Sequence, residues 1–219
     1  MFGIKKFLFG DGLNENLPPD VKSAVSAWLA QETASLESSH FLTRYVVVDI
    51  ASDGLDPASN SLTGIAATVV HQGIVSPEQS VYVDLTSADE AIQARQLAAF
   101  LRFIGKSPLV AYHVAYVSAF LQNLLKKRLG IAFAARWVDL AWLLPAMFDE
   151  ISHKPMPLDD WLTAFGLDVG EGRRSPSENN LMLARLLQML MVRAHAKGVD
   201  GVEALIGESK ASSHLRRTH

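Results

Sequence analysis

Apolar and polar positions alternate in two different rhythms along the chain. At Tyr45-Val-Val-Val-Asp49 a run of β-branched residues ends in a carboxylate, then meets Gly54 and an Asp56-Pro57 pair. An apolar run of this length bounded by turn formers predicts a buried strand. Residues 63–70 and 81–85 repeat the β-branched pattern, separated by His71-Gln-Gly73 and a Ser-Pro pair, as in antiparallel hairpins. The period then lengthens. Leu97, Phe100, Leu101 and Ile104 share one face of a helix over 88–104, and Val117, Phe120, Leu121, Leu124 and Leu125 share a face of the next. Between them, 108–111 is a short buried strand, and 137–139 is another, with Asp139 capping a helix over 140–148. A short helix ends at Gly166, residues 170–176 form a loop, and 177–196 form a long apolar helix with Leu183, Leu186, Leu187, Leu190 and Met191 inward.

Ahead of this block, Val21, Ala24, Val25, Trp28 and Leu29 predict a helix with one apolar stripe, which must dock on the main domain or on a partner. The expected division is an N-terminal arm and docking helix (1–43), a central α/β domain (44–207) and a polar, basic, disordered tail (208–219). Three antiparallel strands followed by alternating helix and strand predict a mixed five-stranded sheet with helices on both faces. In such sheets, sites gather at strand ends, where Asp49 lies.

Composition narrows the chemistry. The 219 residues are 49% hydrophobic and include no cysteine, which excludes disulfides and thiolate metal sites. A net charge of −3 argues neither for nor against nucleic acid. No apolar run approaches the length of a membrane span, and the opening segment is too short in its apolar part for a signal peptide, so a cytoplasmic protein is expected. His40, His71, His153, His195, His214 and His219 lack ligand spacing, and no glycine-rich phosphate loop occurs. Lys126, Lys127 and Arg128 suit a helix C-terminus and a solvated end. Asp49 alone is either a turn cap or part of a site that needs further carboxylates.

Three segments together resemble the proofreading 3′–5′ exonucleases of the DEDDh class, similar to the epsilon subunit of DNA polymerase III, whose fold is ribonuclease H-like. They are Val47-Val-Asp49-Ile-Ala51-Ser-Asp53-Gly54-Leu-Asp-Pro57, Pro108-Leu-Val-Ala-Tyr-His113-Val-Ala-Tyr-Val117, and Arg173-Arg174-Ser-Pro-Ser-Glu178-Asn179-Asn-Leu. Connecting segments at 137–141 and 157–167 agree, so the resemblance covers residues 44–195. It implies four carboxylates holding two Mg²⁺ or Mn²⁺ ions, with a histidine as general base.

Residue by residue, only Asp49 remains of that set. Ala51 stands for the glutamate, Val117 for the second-motif aspartate, Asn179 for the third-motif aspartate and Arg174 for the histidine. A slip of one residue would offer Glu178 instead of Asn179. The substrate-contacting His-Gly-Ile element of the family is also missing, since Thr86-Ser-Ala-Asp-Glu-Ala-Ile runs straight into a helix. Two-metal catalysis needs anionic ligands to offset two cations, so no metal site and no cofactor are expected.

Arg174 is expected either to pair with Asp49 in place of metal charge or to point to solvent. Arg173, Arg174 and His113 are the candidate substrate- or phosphate-binding residues, and Tyr112 and Tyr116 are either base-stacking or core. The expected function is a catalytically inactive exonuclease-like protein that binds a protein partner, with weak nucleic-acid or nucleotide contact and no membrane. The alternatives are an active metal-dependent 3′–5′ exonuclease and a nucleotide- or phosphate-sensing module.

Overall fold

The computed structural model describes residues 12–167 and 174–217, with side chains to residue 214. Its elements, in chain order, are α1 (Pro19–Leu29), β1 (Arg44–Ser52), β2 (Leu62–His71), β3 (Ile74–Asp84), α2 (Glu90–Ile104), β4 (Leu109–Ala111), α3 (Val114–Leu129), β5 (Trp137–Asp139), α4 (Leu140–Met147), α5 (Leu158–Ala164), α6 (Pro176–Ala196) and α7 (Val202–Arg217). The sheet has five strands in the order β3-β2-β1-β4-β5. β1 pairs antiparallel with β2 and parallel with β4, and β4 pairs parallel with β5. This is the mixed α/β sheet that the hydrophobic pattern predicts.

β1 is buried on both faces, and its two-residue period sorts its side chains into two cores. Val46 and Val48 join one apolar layer with α1, α2 and α3, while Tyr45 and Val47 join the other with α4, α5, α6 and α7. Asp49 and Ala51 follow the odd-numbered parity and so fall on the α6 face. The β2–β3 hairpin closes on Gln72 (φ 56°) and Gly73 (φ 72°), both left-handed, as a two-residue turn compatible with strand twist requires. β3 is an edge strand, and its register breaks opposite Thr68/Val69, around Pro77. A proline and a bulge on an edge blunt it against pairing with another chain.

The apolar stripe of α1 docks on the main domain, one of its two expected placements: Val21, Val25 and Trp28 are buried in the chain's own core, and α1 lies against α2. Trp28 also donates its indole N–H to the Gly105 carbonyl at 2.7 Å. The expected disordered tail is helical, because α7 runs to Arg217. Its inward face is Val202, Leu205, Ser209 and Ser212, spaced by three and four residues, and all four are buried. Two of the four are serines, so the face reads as polar in sequence. Ser212 is nonetheless satisfied, since its hydroxyl donates to the Trp142 carbonyl at 2.9 Å.

Candidate functional site

The parallel register places the ends of β1, β4 and β5 at one rim of the sheet, with Val47 opposite Val110 and Ala111 opposite Asp139. Asp49, His113 and Asp139 therefore belong to one end of the fold, and the N-terminus of α6 reaches the same region.

Asp49 is half-buried opposite Ala66 of β2. Burial pushes its carboxyl up to about 6, against the opposing effects of the Ile50 N–H and the Asn179 amide. Among the described residues no cation is among the groups that hold its charge. Asn179 in turn accepts from Arg174 Nε at 2.6 Å, and the other arm of the guanidinium makes a close ion pair with Asp159. The expected Arg174–Asp49 pair is thus not formed. Asn179 stands between them, and Arg174 is neither on Asp49 nor turned to solvent: its side chain is 17% exposed. The competing carboxylate, Asp159 in the first turn of α5, was not anticipated, because nothing local in the sequence ties the two segments together.

The register of α6 is fixed by its cap. Ser175 Oγ accepts from the Glu178 N–H at 3.3 Å, and Glu178 accepts from Ser175 N at 2.7 Å and Ser175 Oγ at 2.8 Å, a capping box. Glu178 is therefore committed to the helix start and does not replace Asn179 beside Asp49. One residue on, Asn180 is fully buried and donates to the carbonyls of Val47 (3.0 Å) and Ala66 (3.3 Å), strapping α6 to β1 and β2.

Val117 is 2% exposed and packs in the core layer of Val46 and Val48, across the sheet from Asp49's face. Ala51 offers only a methyl group. Asp139 is the N-cap of α4, where it accepts from the Ala141 N–H at 3.0 Å. It also accepts from the N–H groups of His113 (3.1 Å) and Val114 (3.0 Å) at the start of α3. One carboxylate thus serves two helix N-termini, where the aligned peptide dipoles favour negative charge. Desolvation raises its pKa despite these donors. The expected cap is present, and its second helix is the addition.

His113 sits at φ 60°, a left-handed conformation that non-glycine residues adopt rarely but that His tolerates better than most. Its ring is exposed and lies edge-on to Tyr112 at 4.7 Å. Tyr112 spends its hydroxyl on the Met156 carbonyl, and burial raises its pKa. Tyr116 lies at 2.8 Å from Ser52 Oγ and stacks edge-on with Phe120 at 4.9 Å. Both tyrosines are thus tied into the framework. Arg173 lies outside the described residues.

A pair of divalent ions does not fit this donor set. Among the described residues, no three His, Cys, Asp or Glu side chains come together as a metal-holding group. The positions around Asp49 supply one carboxylate, two aliphatic groups, one amide and a cation. Arg174, one side chain away through Asn179, adds positive rather than negative charge to the region.

The order and pairing of the strands make the fold ribonuclease H-like. Its structural neighbours include E. coli exonuclease I in complex with a dT13 oligonucleotide (14% identity, TM-score 0.56, covering 70% of this chain and 42% of that one). A zinc-bound E. coli exonuclease I–single-stranded DNA complex is similar at 14% identity and TM-score 0.55, covering 72% and 42%. Brucella melitensis NrnC is similar at 13% identity and TM-score 0.50, covering 82% of this chain and 90% of that one. The chain thus spans about two fifths of the exonuclease I chains. No family model and no curated protein sequence matches it. Likeness at this level of identity establishes the fold. Among the described residues no helix is long and apolar enough to cross a membrane.

Proposed function

We propose that this chain is a pseudo-exonuclease: an exonuclease-like fold that no longer cuts nucleic acid and acts by binding, as a scaffold or recognition module for a protein partner. The observation that carries the reading is the chain of contacts Asp49–Asn179–Arg174–Asp159. A neutral amide and a cation stand where two-metal hydrolysis would need anions. The matched positions Ala51, Val117 and Asn179 give Asp49 no second carboxylate with which to share a divalent ion, and burial raises its pKa. The protein accordingly works without Mg²⁺ or Mn²⁺.

The testing experiment is a nuclease assay on single-stranded DNA and RNA with Mn²⁺. The unmodified protein is expected to leave both substrates intact. Turnover that Asp49→Ala abolishes would establish an active exonuclease instead. A phosphate-sensing role for Arg174 gains no support from the geometry, because its guanidinium is already engaged by Asp159 and Asn179.

A further inference from the structure

A sizeable hollow lies on the opposite side of the sheet from Asp49. It occupies about 560 Å³ between the β1–β2 turn, the link from β3 to α2, and the C-terminal half of α3. That is within the ~300–1,000 Å³ of small-molecule sites. We propose that this cleft binds a phosphorylated ligand of nucleotide size, its ring on the apolar floor and its phosphate at Lys127. The proposal goes beyond the reading of the Asp49 site and does not depend on it.

The walls are pre-formed. In the β1–β2 turn, Asp53 accepts from the Ser61 N–H at 2.8 Å, and Asp56 accepts from the Ala58 N–H and the Ser59 hydroxyl, each at 2.9 Å. Asn123 of α3 ties the turn down by donating to the Pro57 carbonyl at 2.8 Å. Gly54 belongs to the same construction, because the Asn60 side chain lies within 2.5 Å of where a Cβ would stand. The facing wall is held by Gln93, whose amide donates to the carbonyls of Leu85 (3.0 Å) and Ser87 (2.6 Å). A ligand entering this space does not have to order its walls, which removes one of the main costs of binding.

The lining has a polarity. Leu62, Leu85 and Phe120, each at most 6% exposed, form an apolar floor. Ser59, Ser61, Thr86 and Ser87 add a hydroxyl-bearing rim, and Lys126, Lys127 and Arg128 occupy one edge. Among the described residues no carboxylate-bearing one lines the cleft, although the whole chain carries a net charge of −3. Arg128 is paired with Glu90, whereas among the described residues no ion pair involves Lys127.

Helix C-termini normally repel anions through their unpaired carbonyls, but here these are covered. The Asn14 amide donates to the carbonyls of Lys127 (3.0 Å) and Arg128 (2.9 Å), and its backbone N–H donates to Leu129 at 3.2 Å. The Lys127 and Arg128 carbonyls thus already have a donor in Asn14. An apolar floor, a hydroxyl rim and a cationic edge in a cavity of this size match a ring, a polyol and a phosphate in order.

The test is calorimetric titration of the full chain with AMP, adenosine and inorganic phosphate. AMP is expected to bind saturably and more tightly than either fragment. Lys127→Glu, an exposed substitution, should weaken AMP by roughly tenfold or more. Ser61→Trp, which fills the cleft without changing charge, should abolish binding, with thermal melts confirming that both variants fold. Absence of saturable AMP binding overturns the proposal, as does affinity unchanged by Lys127→Glu. Binding lost in Arg174→Ala but kept in Lys127→Glu would also overturn it, by moving the ligand to the rim near Asp49. None of these outcomes bears on whether the protein hydrolyses nucleic acid.

Discussion

Arg174 Nε donates to Asn179 Oδ1 at 2.6 Å, and the same asparagine's amide lowers the pKa of the Asp49 carboxyl. A single neutral side chain thus separates a guanidinium from a carboxylate that burial leaves short of positive charge. Asp159 pairs with the other arm of the same guanidinium. If Arg174 became a site for substrate or metal, that ion pair would have to open.

Asp49 is expected to be a liability at neutral pH. Its folded-state pKa of about 6 lies above its ordinary value of 3.8, so its stabilising contribution is fully present below about 3.8 and is lost as pH rises through about 6. Asp49→Asn should therefore raise stability at neutral pH by about 1–3 kcal/mol, a range reduced for the group's partial exposure. The gain should vanish at acid pH. Thermal melts of both proteins across the acid-to-neutral range check this, and a destabilised Asp49→Asn at neutral pH would contradict it.

His40 should give the opposite pH dependence. It is 1% exposed, with Nδ1 at 2.7 Å from the Tyr45 hydroxyl and Nε2 at 2.7 Å from the Val199 carbonyl. The carbonyl can only accept, so Nε2 carries the proton and Nδ1 accepts from Tyr45. Desolvation lowers its pKa from 6.5. Its contribution is complete above that value and is lost as pH falls below it, because the unfolded state then gains a proton that the folded state refuses. His40→Ala should cost about 2–4 kcal/mol by leaving two buried partners unsatisfied. A double-mutant cycle with Tyr45→Phe, followed by urea unfolding, should show coupling between the two sites.

Asp139 should be among the most sensitive polar positions. Asp139→Ala removes the acceptor of three backbone N–H groups at the starts of α3 and α4 and should cost about 3 kcal/mol; Asp139→Asn, which keeps an acceptor but removes the charge, should cost about half that. Equal losses in urea unfolding would contradict this division, because they would assign the whole effect to the charge and none to the neutral acceptor.

How far the sequence carries the fold depends on whether a residue's role is local. The β1 run, the leucine spacing of α6, the Gln72-Gly73 turn and the Asp139 cap are set by neighbours a few positions away, and each is found where the pattern predicts it. α7 escapes because the inward face that carries Ser209 and Ser212 has no apolar signature. The destination of Arg174 escapes because Asp159 and Asn179 meet only once α5 and α6 have packed. The loss of carboxylates is legible residue by residue. What replaces them electrostatically is a tertiary fact.

Restoring the acidic set is expected to be costly. Val117→Asp alone places a carboxylate in a core position and should destabilise the fold by more than about 3 kcal/mol. Combined with Ala51→Glu and Asn179→Asp, it should make the melting temperature respond to Mn²⁺ through ligand linkage, while that of the unmodified protein stays constant. A variant set indifferent to Mn²⁺ would mean that the backbone itself, and not only its side chains, has left the metal-binding geometry.

The most direct measurement is titration of the unmodified protein with Mn²⁺, followed by calorimetry and by the electron paramagnetic resonance of the free ion. The account predicts no saturable binding of paired ions, and no difference between the unmodified protein and Asp49→Asn. Two ions per chain, released by Asp49→Asn, would contradict it.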